Sequence, residues 1–367
     1  MSPRERVLKA WRRLSGTPDR VPVQFDLCRT LLEHFGKKLG IPVEYTCNLY
    51  EDVTYRISGN QIRTAMGSDV VITGAGAAEE FRVETAADGT WLNEYGMRMR
   101  QGEIYAEIIE YPLAHVQTAS DVAAYRFPDP LAAGRYGDAE RLIQRYKDQY
   151  LIIGDIEVTI FSLAQQLVGM EKFLMDMAMG AEYIEPLLCA CTEFQTAVGL
   201  RLIEAGADAL WAGDDFGTQK GLLFSPAMFR RMMKPHYTRM NRAFRDAKPD
   251  ILLILHCDGA VSALLNDFHE MGYEVFNPVQ PGVPGHDPET LKQKFGDKLC
   301  FWGAIDQQDL LPRGSDEELE ADIVEKIGIL GKDRGYMIAP AHILQADVSP
   351  ERVEKFVELC LTHGRYA

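Results

Sequence analysis

The chain lacks most features that betray a function at a glance. Its 367 residues hold no apolar run near the roughly 18 that a membrane helix needs. There is no glycine-rich phosphate loop and no Gly-x-Ser-x-Gly elbow, which argues against ATP chemistry and against hydrolases built on that elbow. Positive charge is scarce: 39 Lys and Arg face 54 Asp and Glu, for a formal net charge of −15. Nucleic acids and anionic membranes need clustered cations, so neither is an expected partner, and small molecules or other proteins remain. The seven cysteines are odd in number and form no Cys-x-x-Cys pair. They read as reduced thiols of a cytoplasmic protein, with no zinc ribbon or thioredoxin-type motif. The first residues carry Val7, Leu8, Trp11 and Leu14 on one helical face and include Glu5, so an amphipathic helix is expected there and not a signal peptide.

What the chain does have is alternation. Strand-like runs fall at 21–26, 68–73, 150–155, 207–213, 250–256, 274–277, 299–305 and 335–341. Helical patterns at 182–205, 226–247, 260–271, 288–295, 316–330 and 350–362 separate the later ones. About eight strands with intervening helices predict a (β/α)8 TIM barrel, one domain over 1–367, with a doubly wound sheet as the alternative. The stretch from 80 to 115 breaks this rhythm. Ala87-Asp88-Gly89-Thr90 and Arg100-Gln101-Gly102-Glu103 are turn signals between strand-like segments, so an inserted β-hairpin arm is expected. It would cap the barrel mouth or serve a subunit contact in a homodimer.

The densest chemistry closes the apolar run 251–255: His256-Cys257-Asp258, then Gly259. In an extended backbone residues i and i+2 share a face, so His256 and Asp258 would point one way and Cys257 the other. Such a pair suits metal ligation or acid/base work; the alternative is a histidine bonded by an aspartate to satisfy a strand end. The other strand tips offer Asp26, Asp155 with Glu157, Asp214-Asp215 with Gln219, Asn277 with Gln280, Asp306 with Gln307, and His342 with Gln345. A mouth of carboxylates, amides and imidazoles, with almost no Lys or Arg, suits a divalent metal or a cationic or hydroxyl-rich ligand. His256, Asp258 and His342 together offer the nitrogen and oxygen donors that zinc accepts, provided the barrel brings both tips to one mouth. Asp214-Asp215 reads equally well as a loop capping a helix.

Several separated segments resemble the uroporphyrinogen decarboxylase superfamily. They are Gly213-Asp214-Asp215-Phe216-Gly217-Thr218-Gln219, Asn277-Pro278-Val279-Gln280-Pro281-Gly282, Phe301-Trp302-Gly303-Ala304-Ile305-Asp306 and Ala339-Pro340-Ala341-His342 with the residues after it. The likeness runs from about residue 180 to the end. It implies a (β/α)8 barrel and one of two chemistries. The true decarboxylase binds a tetrapyrrole octacarboxylate through an arginine-rich motif, but the matching stretch here, 21–29, has only Arg29, which would leave carboxylates buried and unpaired.

The resemblance therefore points to the corrinoid-dependent methyltransferase branch. Its thiol-methylating members hold zinc through a His-x-Cys pair and a later Cys. Here the first position matches His256, while Asp258 and His342 replace the two thiolates. This harder set implies zinc or another divalent metal. It also implies a demethylating, O-demethylase-type enzyme taking a methyl group from an ether, amine or thiol. Asp214, Asp215 and Asp26 then become the catalytic candidates, with Asn277, Gln280, Gln219 and Glu157 placing the substrate. The resemblance implies that the corrinoid rides on a partner protein. Two other readings remain: a metal-free decarboxylase or lyase acting on a small acid through Asp26 or Asp214, and a non-catalytic barrel that binds a small molecule.

Overall fold

The expected strands assemble into a parallel sheet in a computed structural model that describes residues 1–46, 54–102 and 105–366. Its order is β1 (Val70–Gly74), β5 (Leu151–Asp155), β6 (Ala209–Gly213), β7 (Leu252–His256), β8 (Val275–Val279), β9 (Cys300–Ile305) and β10 (Tyr336–Pro340), each next to its successor. Helices connect the strands, giving the (β/α)8 TIM-barrel architecture. The first predicted strand, 21–26, forms no regular ladder. Pro22 has no N–H to give, and the segment makes only isolated parallel bridges, Val23 to Ile338 and Leu27 to Leu344. Its other edge is held by one residue. Asp69 donates its backbone N–H to Val23 O at 2.9 Å and accepts the Val23 N–H on its carboxylate at 2.8 Å. A side chain thus stands in for a strand carbonyl and closes the ring between β10 and β1.

Alternation along the strands sorts two cores. Val70, Ile72, Leu151, Ile153, Trp211, Leu252, Ile254, Trp302 and Met337 fill the barrel interior, while Leu253, Leu255 and Cys257 pack outward against the helices. The N-terminal helix α1 (Pro3–Ala10) inserts Val7 and is followed by Trp11, both buried in the interior cluster. Trp11 lies 5.7 Å from Trp302, which lies 4.5 Å edge-on from Trp211, so a column of indoles rises from the base of the barrel. Leu14, expected on the same apolar face, is instead exposed.

The arm is a three-stranded antiparallel sheet of β2 (Trp91–Leu92), β3 (Arg98–Gln101) and β4 (Ala106–Glu110), one short strand more than a hairpin. The side chain of Asp88 accepts the Thr90 N–H, forming the first predicted turn, while the second ends at Glu103, outside the described residues. Tyr105 accepts a hydrogen bond from Gln345 at 2.5 Å, so the arm reaches the loop beyond β10. The Arg135 guanidinium clasps Glu94 through both its terminal nitrogens and fixes the base of the arm. Six described cysteines are free thiols; Cys47 lies outside the described residues. Among the described residues, no helix is long and apolar enough to cross a membrane.

Asp69 also takes Arg6 at 2.7 Å and Arg20 at 2.6 Å, and is itself 1% exposed. Asp69→Ala would leave the Val23 N–H unpaired and take from Arg20 its carboxylate and from Arg6 one of its two carboxylate partners, Asp19 keeping the other. We expect a loss of about 3–5 kcal/mol, read as an earlier unfolding midpoint in urea by circular dichroism. A loss below about 1 kcal/mol would mean that the remaining backbone bonds hold the seam without the carboxylate.

Candidate metal centre at the barrel mouth

Strand register builds this site from the floor upward. On β7, Leu252 and Ile254 face the barrel interior, so two-residue periodicity carries His256 inward at the C-terminal end. His256 pairs in register with Gly213 on one side and Asn277 on the other, and it stacks on Trp211 with ring centroids 5.8 Å apart. Asn277 Oδ1 lies 2.7 Å from His256 Nδ1, so Nδ1 donates the hydrogen bond and Nε2 carries the free lone pair in the neutral ring. That Nε2 lies 3.8 Å from an Asp258 carboxylate oxygen, and the same oxygen is 3.8 Å from His342 Nε2. The two imidazole centroids are 6.2 Å apart. One ligand atom from each of the three residues falls within a 4.8 Å group.

Cys257 points the other way. Its sulfur is buried and accepts the Phe216 N–H at 3.3 Å in the helical layer.

Around this cluster lies a group of acids that a single cation organises. Arg56 is buried and its guanidinium carbon stands over the Trp211 ring at 4.5 Å. It pairs with Glu157, with Asp155 at 3.1 Å and with Asp26 at 3.4 Å. Asp26 is taken further by Arg63 at 2.8 Å and by Gln24. Sequence reasoning missed Arg56 and expected a mouth nearly free of basic residues. The residue sits in an irregular segment with neither strand nor helix periodicity, so nothing local signals it.

Glu157 also lies 3.9 Å from His256 Nε2. Gly213 makes room for it: a Cβ there would come within 2.4 Å of the Glu157 side chain. Burial alone would raise the Glu157 carboxyl, but Arg56 and then His256 outweigh it and hold the group down at about 2. For His256 burial favours the neutral ring, yet Glu157, Asp258 and Asp215 lift its pKa to about 8.

The remaining predicted residues divide by what already occupies them. Asp214, expected as catalytic, is 1% exposed and accepts from Ile160 N at 2.9 Å, Ser162 N at 2.6 Å and the Tyr237 hydroxyl. It anchors the start of helix Phe161–Val168 and does not reach the mouth; burial pushes its carboxyl up to about 6. Asp26, the other buried candidate, is enclosed by its arginines. Asp215 is exposed at the rim and accepts the Asp258 N–H at 2.8 Å, so it positions Asp258. Gln280 accepts the Gly259 N–H and donates to Gln219, tying three loops together, so both amides are engaged in bracing the rim. Asp306 caps its own turn through the N–H of Gln308.

The geometry fits a divalent cation. Two ligand atoms about 2.1 Å from a tetrahedral ion stand ~3.4 Å apart, close to the 3.8 Å spacings here. Two imidazoles and a carboxylate suit zinc and its harder neighbours, and the Asn277 bond is the outer support that metal-bound histidines usually have. Another cluster, Glu185, Cys189 and His236, lies in the outer helical layer away from the mouth, where the Arg239 cation faces it.

Comparison with known proteins places this arrangement. The family model described as uroporphyrinogen decarboxylase (URO-D) matches residues 94–363. Among curated relatives, the methylcobamide:CoM methyltransferase MtaA of Methanosarcina barkeri is 26% identical over 171 residues, 47% of each chain. The uroporphyrinogen decarboxylase of Thermus thermophilus is 31% identical over 157 residues, 42% of each chain. The chain thus spans about half the length of the curated relatives it matches. A solved methyltransferase from Methanosarcina mazei superposes with a TM-score of 0.69 over 99% of both chains at 18% identity, a likeness of fold. The match over 94–363 covers most of the barrel and the whole candidate centre, and the chain belongs to the uroporphyrinogen decarboxylase (URO-D) family.

Proposed function

We propose that this protein is a methyltransferase that moves a methyl group between a small methylated compound and a corrinoid carried by a separate protein. We further propose that it works as an O-demethylase-type enzyme, with a methyl ether as donor. The carrying observation is the convergence of His256, Asp258 and His342 on one point of the mouth, with His256 Nε2 left available by Asn277. Similarity to a methylcobamide:CoM methyltransferase supports the same chemistry. The decarboxylase alternative loses its proton donors, because Asp214 is sealed against helix Phe161–Val168 and Asp26 is spent on Arg56 and Arg63.

In the proposed reaction the methyl–oxygen bond breaks as the carbon bonds to cobalt(I). The cobalt(I) corrinoid, a co-substrate on its own protein, would supply the electron pair of the new bond, and the departing oxygen would take its proton from solvent. A divalent metal held by His256, Asp258 and His342 would supply Lewis acidity at that oxygen. The chain's own residues set the stage. Asn277 fixes the His256 ring, Asp215 fixes the backbone at Asp258, and Trp211 with Trp302 forms a dry floor that excludes water from below. Glu157, pinned by Arg56, brings negative charge next to His256 without a free carboxylate that would compete with substrate.

Zinc titration against a chromogenic chelator tests the centre. His342→Ala should weaken zinc binding at least tenfold, and Asn277→Ala by about 10–100-fold through the unsupported ring, both with native circular dichroism. Unchanged affinity in both variants would remove the centre. Methyl transfer is tested by mixing the protein with chemically reduced cobalamin and a panel of methyl ethers, methylamines and methyl thioethers. Formation of methylcobalamin, followed by its absorbance, should fall at least 100-fold in His256→Ala. Carbon dioxide release from a small acid with no cobalamin methylated would instead establish the decarboxylase.

A further inference from the structure

The mouth continues sideways into a cavity of about 260 Å³ roofed by the three-stranded sheet. Its walls are mostly apolar and aromatic: Trp91, Tyr95, Met97 and Met99 from the arm, and Phe194 and Val198 from helix Ile184–Ala205. Tyr95 packs edge-on against Phe194 at 5.7 Å, and Tyr125 anchors the Tyr95 carbonyl at 2.8 Å, so that wall is held in place. The polar end carries Asp155 and Glu157. Glu157 is thus shared: it lines the cavity and stands 3.9 Å from His256 Nε2.

Every charged group lining this space already has an opposite partner. Arg135 is clasped to Glu94, and Asp155 and Glu157 are paired with Arg56. Asp155 and Glu157 share the one guanidinium of Arg56, so an anion would find no spare cation and the carboxylates are bridged, not bare; the cavity favours neutral molecules. Size narrows the class further. A cavity of about 150 Å³ lined by apolar side chains holds one benzene ring. The present volume therefore takes one ring with small substituents, and is far too small for a tetrapyrrole.

We propose that the cavity beneath the arm binds the ring of a neutral aryl methyl ether, with its methoxyl end passing Glu157 toward His256, Asp258 and His342. This inference rests on the methyl-transfer reading for its chemistry but on the cavity alone for its binding. Isothermal titration with 1,2-dimethoxybenzene, cyclohexyl methyl ether and tetramethylammonium separates the two. The wild-type protein should bind the aryl ether at least tenfold more tightly than either of the others. Val198→Trp should cut that affinity at least tenfold by filling the space, and Met99→Trp should do the same from the arm side, where no barrel strand is disturbed. Native circular dichroism and an unchanged melting midpoint in at least one variant certify the fold. Tighter binding of tetramethylammonium, or undiminished affinity in a folded variant, would overturn the assignment. If the aryl ether binds as described but never methylates cobalamin, the cavity stands and the methyl-transfer reading falls. If only aliphatic donors methylate cobalamin, and equally well in Val198→Trp, the reverse holds.

Discussion

A single guanidinium makes the mouth of this barrel possible. Asp26 comes from the segment beside β10, Asp155 and Glu157 from the end of β5, and the three crowd into a buried space. Two carboxylates 4 Å apart repel by about 4 kcal/mol at an effective dielectric of 20, so three would drive one another to protonate or the loops to spread. Arg56 bonds all three and stands over the ring of Trp211, which rests on Trp302, itself packed on Trp11. The load passes down through the barrel axis. With the acids bridged in this way, Glu157 stands beside His256, and the imidazole keeps a defined orientation between Trp211 and Asn277.

The ligand set follows from the pleat as much as from the residue types. Cys257 stands between His256 and Asp258 in the chain, and a thiolate is a better zinc ligand than a carboxylate. Strand alternation denies it that role, turning its sulfur into the helical layer, where burial pushes the thiol well above its usual range. The centre is therefore built from oxygen and nitrogen, and it is less electron-rich than a thiolate site would be. A metal held this way keeps more of its own positive charge for whatever oxygen reaches it.

Much of this was legible in the sequence, and the boundary has a physical cause. Seven parallel strands lie within a few residues of their predicted positions because each is buried on both faces and reads as a continuous apolar run. His256, Asp258 and His342 meet because barrel topology forces strand ends to one face, a rule independent of sequence distance. What stayed hidden depends on who bonds to whom. Asp214 looks like a site residue until three donors from the neighbouring helix and Tyr237 claim it. Arg56 lies in a stretch without period, so its partners, far away in the chain, give no local sign. The predicted first strand gave way to isolated bridges because Pro22 cannot donate, and the Asp69 carboxylate supplies what the ladder lacks.

Among the described residues, the Arg135–Glu94 clasp at its base, the Tyr125 hydroxyl on the Tyr95 carbonyl and the Tyr105–Gln345 contact at its far end fasten the arm to what it overhangs. The floor of the mouth and its roof are thus built from separate stretches of chain. Mutation can redraw the roof, residue by residue, without touching the indole column or the imidazoles. A lineage carrying this scaffold can change its diet by editing one short stretch of gene while the machinery beneath passes on intact.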